Sequence, residues 1–223
     1  MTITEWDADA VRALRGLEDD RPSARLRAAL AVGTAPDARF VGKLVERCAV
    51  EPEFFVRDML TWALTRHSVE LTLPALLREV RSGRGQARSQ ALHTLSKIED
   101  PRAWPAITPA LLTDADEEVA RSAWRAAAVL VPDGERSALA TVLVGQLGRG
   151  GREMQLSLSR ALVSLGDVIE PALEAAGAAR DPRVCAHALA TRRLLEEPDA
   201  GFESAIEEAK RIVALGGPGE EGR

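Results

Sequence analysis

The chain has 223 residues, of which 28% are charged and 4% aromatic, with no tyrosine at all. Ala, Leu, Arg and Glu dominate, which favours helices, because β-rich domains depend on aromatic and β-branched side chains. The formal net charge of -5 at pH 7 opposes attraction of the whole molecule to phosphate backbones. The sequence has no uninterrupted stretch of about eighteen apolar residues, so no membrane span is predicted.

The cysteines and the first residues predict a cytoplasmic protein. Cys48 and Cys185 stand far apart in the sequence, without the close spacings of a disulfide framework, so both are expected to be reduced thiols. The start of the chain carries Glu5, Asp7 and Asp9, where a secretory signal needs a basic start and an apolar run. We therefore predict no signal peptide.

After a leading helix, one column of positions recurs every 30 to 35 residues, at Arg25, Arg57, Arg88, Ala120, Gln155 and Cys185. Small or apolar residues stand three places further on, at Ala28, Leu60, Ala91, Ala123, Leu158 and Ala188. Others follow six places beyond the column, at Ala31, Ala63, Thr94, Ala126, Ala161 and Thr191. These offsets mark one face of a helix, and alanine allows neighbouring helices in a stack to approach closely.

A second helix in each unit is indicated by recurring start signals. Aspartates that can cap a helix recur about twelve residues beyond the column, at Asp37, Asp100, Asp133 and Asp167. Prolines suited to a first helical turn recur sixteen or seventeen residues beyond it, at Pro74, Pro105 and Pro171. The sequence thus predicts one leading helix and six pairs, about thirteen helices, in a single domain over residues 1–215. Residues 216–223, rich in Gly and Glu, are predicted to be disordered.

The units resemble short HEAT repeats of the type found in phycobilin-lyase-like proteins and in many bacterial proteins. The residues that carry the likeness are Val56, Arg57, Leu60, Ala63 and Leu64, then Arg88, Ala91 and Leu95, then Val119, Ala123 and Ala126. The resemblance covers residues 21 to about 215 and implies an all-α, right-handed α-α superhelix, a HEAT-like solenoid. In such families the column-bearing helix lines the concave face, which holds the ligand. Ala120, Gln155 and Cys185 depart from the basic column, so the last three repeats are expected to lack its ion pair.

The resemblance makes the residues five places beyond the column candidates for a binding face: Leu30, Trp62, His93, Arg125, Arg160 and Ala190. Four more residues lie nearby on the same helices: Arg27, Met59, His187 and Arg193. Trp and Arg are frequent binding anchors, so a peptide or protein client fits this stripe. The alternative is structural, with Trp62 packed between repeats and the arginines solvated or paired with Asp58, Glu117 or Glu118.

The column arginines are interpreted as structural. Asp19 and Glu51 stand six residues before Arg25 and Arg57, so ion pairs within each repeat are predicted, because buried arginines are normally paired. Arg88 is likewise interpreted as a structural residue.

No metal, cofactor or catalytic site is predicted. His67, His93 and His187 have no partner at a metal-ligand spacing. Gly83 and Gly85 merely separate helices, and the run from Gly145 to Gly151 lacks the lysine and the preceding strand of a phosphate loop.

Two functions follow from these patterns. The first is a scaffold or adaptor that binds a protein or peptide on its concave face. The alternative is a DNA-binding or alkylbase DNA glycosylase-like protein, since one family of bacterial glycosylases is built from HEAT-like repeats. Basic residues favour it, namely Arg21, Arg25, Arg27, Arg84, Arg88, Lys97, Arg152, Arg160, Arg183, Arg192 and Arg193. The acidic total, the run from Asp114 to Glu118 and the missing Trp-Asp-Trp set oppose it. A chaperone of a chromophore is a third hypothesis, which no residue specifically supports. The sequence predicts no oligomeric state.

Overall fold

A computed structural model describes residues 3–197 and 201–215, with the side chains of residues 3–7 and 9 excepted. All regular structure in these ranges is helical and neighbouring helices pack in pairs, which confirms the predicted all-α fold. The chain forms two compact units, residues 1–106 and residues 107–223. A single solenoid over residues 1–215 stays a prediction, and the predicted tail at 216–223 lies outside the described residues.

The first unit holds six helices: α1 (Ile3–Gly16), α2 (Pro22–Thr34), α3 (Ala38–Cys48), α4 (Phe54–Thr65), α5 (Val69–Val80) and α6 (Gly85–Ile98). A 3-10 turn over Pro101–Ala106 ends it. As predicted, Asp37 caps α3, because its carboxylate accepts a 2.8 Å hydrogen bond from the Arg39 backbone nitrogen. Helix α2 packs on α4, and α4 packs on α6, so the column-bearing helices are neighbours in this unit.

The second unit holds α7 (Pro109–Leu112), α8 (Glu117–Leu130), α9 (Arg136–Val144), α10 (Arg152–Val163), α11 (Glu170–Gly177), α12 (Pro182–Glu196) and α13 (Phe202–Ala214). The carboxylate of Asp116 caps α8 and that of Asp181 caps α12, through the backbone nitrogens two residues on. Helix α10 packs on both α8 and α12, so the column-bearing helices are again neighbours.

The alanine seam lies in the core of each unit. The alanines on which the helical period rests are buried: Ala28, Ala91, Ala123 and Ala188. Six residues beyond the column, Ala63, Ala126 and Ala161 are buried too, whereas Ala31 is exposed. Small side chains therefore let the column-bearing helices approach closely, and only the first repeat leaves part of its seam open to solvent.

Several predicted starts of second helices are wrong. Pro74 lies inside α5, which begins five residues earlier, rather than in its first turn. Asp133 and Asp167 lie within 3-10 turns over Asp133–Glu135 and Gly166–Ile169, which precede α9 and α11. In the third repeat, Pro101, Pro105 and Pro109 remove three backbone donors within nine residues, so a 3-10 turn and a short α7 replace one long helix.

Candidate binding surface

The first unit carries an accessible apolar surface on α2, α4 and α6. We call it the Trp62 strip, and it consists of Leu30, Met59, Trp62 and His93. Leu30 is 47% exposed and Trp62 is 38% exposed, while Met59 and His93 are half-buried. Leu30, Trp62 and His93 occupy the same position in consecutive repeats, as the repeat period predicts.

Trp62 is held against α2 by a glycine. A Cβ atom on Gly33 would lie 2.8 Å from Cε3 of Trp62 and 2.9 Å from Cα of Ala63, closer than real contacts allow. Leu30 stands one helical turn before Gly33, so it lies on the same side of α2 as the indole. Trp62 therefore packs between repeats, as the structural alternative proposed, and is still partly exposed.

The strip continues from α4 to α6. Thr61 and Thr94 stand next to Trp62 and His93 in the sequence, and their hydroxyl oxygens lie 3.4 Å apart in the core. The amide of Gln90 reaches the Thr61 hydroxyl as well, at 3.5 Å. These contacts fix the two helices side by side, so Trp62 and His93 lie on neighbouring helices of one surface.

A buried ion-pair network joins the start of α2 to the turn before α4. Arg25 donates to both carboxylate oxygens of Glu51, at 2.7 and 2.8 Å, and both side chains are buried. The same carboxylate accepts from Nε of Arg47 at 2.9 Å and from the Glu53 backbone nitrogen at 3.0 Å. Burial alone would raise the pKa of Glu51, but these hydrogen bonds outweigh it and leave the pKa below its ordinary value.

The predicted pairing of the column arginines is corrected in one respect. The residue six places before Arg25 contributes a backbone carbonyl, since Nη1 of Arg25 donates to the carbonyl oxygen of Asp19 at 2.8 Å. Arg57 donates in the same way to the carbonyl oxygen of Glu51, at 3.0 Å. The carboxylate that pairs with Arg25 comes instead from the following repeat, so the arginine joins two repeats rather than fixing one.

A buried histidine adds a second tie between helices. His67 accepts a 3.3 Å hydrogen bond at Nε2 from the Asp37 backbone nitrogen, and its Nδ1 lies 2.8 Å from the Ala63 carbonyl oxygen. The hydrogen-bond pattern assigns the proton to Nδ1, which donates to that carbonyl. The end of α4 is thereby fixed to the start of α3.

In the second unit, the predicted arginines lie on neighbouring helices. Arg125 of α8 is exposed, and its guanidinium donates to the Arg121 carbonyl oxygen at 3.4 Å and to the Ser122 hydroxyl at 3.3 Å. Desolvation by the surrounding atoms and the nearby Arg121 charge lower the pKa of Arg125. Arg160 of α10 is exposed as well. Both remain candidates for contacting a ligand.

The predicted stripe ends at α12 because α13 covers it. Ala190 is buried in an apolar cluster with Phe202, Ala205 and Ile206 of α13. Arg193 forms an ion pair with Glu208 of the same helix. The last helix therefore uses the positions on α12 that the repeat period assigned to ligand binding.

His187 is a core residue, which corrects the expectation that it lies on an accessible surface. It is fully buried, its Nδ1 accepts from the Gly148 backbone nitrogen at 3.0 Å, and its Nε2 lies 3.0 Å from Oγ of Ser159. Ser159 in turn lies 2.8 Å from the Thr191 hydroxyl, and the Phe202 ring packs edge-on against the imidazole. Burial lowers the pKa of His187 to about 4, so the ring is neutral at pH 7.

Acidic partners offset much of the predicted basic surface. Seven of the basic residues that favoured nucleic acid pair with carboxylates, namely Arg21, Arg25, Arg84, Arg152, Arg183, Arg192 and Arg193. Trp124 is fully buried, with its indole nitrogen donating to the Leu112 carbonyl oxygen at 2.8 Å, so it offers no face to a base. These pairings reduce the positive potential available to a phosphate backbone.

The two cysteines lie in different environments. Cys48 is buried and its pKa is raised to about 12, chiefly by burial and then by the Glu51 charge. Cys185 is half-buried and donates to the Gly177 carbonyl oxygen at 2.8 Å.

Among residues 3–197 and 201–215, no three His, Cys, Asp or Glu side chains are grouped to hold a metal, and no helix has the length and apolarity to cross a membrane.

Two exposed features were missed by the repeat pattern. Phe54 and Phe55, the first residues of α4, are 64% and 75% exposed. A groove of about 820 Å³ also lies along α1 and α2. The sequence did indicate the exposed phenylalanines, because they directly follow Pro52 and Glu53 at the start of a helix, where the packing period does not yet apply.

Comparisons with known proteins add little. No family model matches the chain, and no curated protein matches its sequence. Among solved structures, it is similar to the crystal structure of an engineered protein, at 18% identity over 85% of this chain and 98% of that one, with a TM-score of 0.46. A likeness at this level carries no argument about function.

Proposed function

We propose that this chain is a HEAT-like scaffold protein of the cytoplasm that binds a protein or peptide client on the Trp62 strip. The observation that supports the proposal is Trp62 itself, which is 38% exposed although its ring packs against Gly33. A rigid aromatic side chain loses little entropy on binding, and tryptophan is enriched among residues that dominate binding energy. Leu30 extends the apolar contact beside it.

A binding experiment with peptides tests this proposal. Peptides are selected from a phage-displayed library of short random sequences on the full chain, and their affinity is then measured by fluorescence polarisation. Trp62→Ala is expected to weaken binding at least about tenfold, the loss typical of a buried aromatic anchor. Leu71→Ala is the matched control, because Leu71 is also an exposed apolar residue of this unit but lies on α5. Equal binding by wild type and Trp62→Ala would contradict the proposal.

The nucleic-acid alternative is separated by salt. With a short DNA duplex as the probe, we expect no binding at physiological ionic strength, because the chain carries a net charge of -5 and many of its arginines are paired. Duplex binding that falls steeply with added salt, and that is lost on replacing Arg125 and Arg160 by Ala, would favour the alternative instead.

A further inference from the structure

The groove along α1 and α2 has the surface of a helix-packing interface that no described residue fills. It is lined by Ala10 and Ala13 of α1, by Ala24 and Ala31 of α2 and by Ala35, which directly follows α2, and its volume is about 820 Å³. Helix α1 touches α2 closely near Gly16, where an added Cβ would lie 2.9 Å from that of Ala28. Because Ala31 is exposed while its equivalents in later repeats are buried, the first repeat retains an open apolar seam.

The groove lining contains arginines as well as apolar side chains. Arg12, Arg21 and Arg27 contribute to its lining, and none of the lining residues that the structure describes is acidic. Arg27 is exposed, and Arg21 pairs with Asp19 outside the groove. An occupant that matches this groove therefore combines apolar side chains with carboxylates that can meet its arginines.

The same unit presents a surface with those properties at the start of α4. Phe54 and Phe55 stand with their rings nearly perpendicular, at 76°, and their centroids are 5.6 Å apart. Val50, which is 50% exposed, precedes them in the turn, and Glu53 and Asp58 are exposed on either side in sequence. We call this surface, from Val50 to Asp58, the Phe54–Phe55 knob. Exposed aromatic pairs of this kind mark contact sites on soluble proteins.

The knob stands on a rigid base. The turn before α4 is fixed by Arg57, whose guanidinium donates to the Pro52 carbonyl oxygen at 2.6 Å and lies 6.0 Å from the Phe54 ring centroid. Gln86 of α6 donates to the Glu51 carbonyl oxygen at 2.8 Å, and the Glu51 carboxylate is bound by Arg25. The aromatic side chains are thus presented in a defined position, which reduces the entropic cost of docking.

We propose that the Phe54–Phe55 knob of one copy docks in the α1–α2 groove of a second copy. The knob brings two aromatic rings to the apolar lining of the groove, and it brings Glu53 and Asp58 to a lining that contains arginines. Both surfaces belong to residues 1–106, so each copy carries the two complementary parts. The contact uses none of the residues of the Trp62 strip, although Phe55 and Asp58 stand one helical turn before Met59 and Trp62 on α4.

Sedimentation of the full chain over a range of concentrations tests the contact. The wild-type average mass is expected to rise above the 24.0 kDa of one chain as concentration increases. The double variant Phe54→Ser/Phe55→Ser and the variant Ala31→Trp, which fills the groove, are each expected to associate at least about tenfold more weakly. Val129→Ser, which removes an exposed apolar residue of the second unit, is the matched control and should sediment as wild type.

Mixing the two variants makes the test specific. Each variant retains the surface that the other lacks, so their equimolar mixture is expected to form a 1:1 complex at concentrations at which each variant alone stays monomeric. All four substituted positions are exposed, and helical circular dichroism and the melting temperature should match wild type. A wild-type chain that stays monomeric at every concentration, an Ala31→Trp variant that associates normally, or a mixture that forms no complex would each overturn the contact.

Discussion

At the scale of single residues, close packing at Gly33 determines how Trp62 is presented. The glycine is buried in α2, and the indole of Trp62 occupies the space that any larger side chain would need. Glycine normally weakens a helix interior, so its presence here is explained by the close approach of the aromatic ring.

Gly33→Ala is therefore expected to destabilise the protein by about 1–3 kcal/mol, because the added methyl group must displace the Trp62 ring or the backbone of α4. Chemical denaturation measures the change. The loss should be reduced but not abolished in a Trp62→Ala background, because the Cα atom of Ala63 also lies 2.9 Å from the added Cβ. Gly42→Ala is the control: nothing lies within 4 Å of an added Cβ there, so about 0.5–1 kcal/mol of stabilisation is expected. Equal effects at both glycines would contradict the packing at Trp62.

The buried imidazole of His187 gives a second prediction at this scale. In the fold its pKa is about 4, against an ordinary value of 6.5, so the unfolded chain takes up the proton first as pH falls. The neutral imidazole therefore contributes to the free energy of unfolding, and this contribution is fully present above pH 6.5. It is lost as pH falls toward 4, by about 3 kcal/mol in total. A proton on Nδ1 would also face the Gly148 N–H group, which now donates to that atom.

Urea unfolding at a series of pH values measures this loss. His187→Gln should lower the free energy of unfolding at pH 7.5. Between pH 6.5 and 4, however, the free energy of unfolding should fall much less steeply in the variant than in the wild type. A wild-type and a variant protein that lose stability in parallel over this range would show that His187 is not the group responsible.

At the scale of elements, one buried ion pair ties the start of α2 to the turn before α4. Arg25→Met is expected to destabilise the protein by about 3 kcal/mol, because it leaves the buried Glu51 carboxylate without its bidentate partner. Arg21→Met is the control, since Arg21 is exposed and pairs only with exposed groups, and no measurable change is expected there. Thermal unfolding of the two variants distinguishes them, and equal melting temperatures would contradict the role of the pair.

The column-bearing helices were predictable from sequence because their period is set by burial of one face. Ala91 and Ala123, for example, must be small wherever neighbouring helices touch. The second helices were less predictable, because local signals compete there. Pro74 is tolerated inside α5, and Asp133 begins a 3-10 turn rather than an α-helix.

The candidate site was predictable only in part. The positions of Trp62, Arg125 and Arg160 follow from the repeat period, and the structure leaves all three exposed. His187 could not be assigned correctly, because its burial depends on Phe202 and on a loop glycine far away in sequence. The carboxylate partner of Arg25 was likewise misplaced, since sequence spacing alone favoured the nearer Asp19.

At the scale of the whole molecule, charge and exposed surface favour a binding protein. The net charge is -5, and the arginines of both units are extensively paired with carboxylates, so long-range attraction to nucleic acid is weak. The first unit combines the Trp62 strip with the Phe54–Phe55 knob and the α1–α2 groove. We propose that client binding and self-association both use this unit, on neighbouring surfaces.

Methyl NMR of the full chain during titration with a selected peptide tests client binding on the Trp62 strip most directly. The methyl groups of Leu30 and Met59 belong to the strip, whereas Leu71 and Leu215 are exposed leucines elsewhere. We expect the largest shift changes at Leu30 and Met59, with Leu71 and Leu215 unchanged. Shifts at Leu71 or Leu215, with Leu30 and Met59 unmoved, would contradict a client site on the strip.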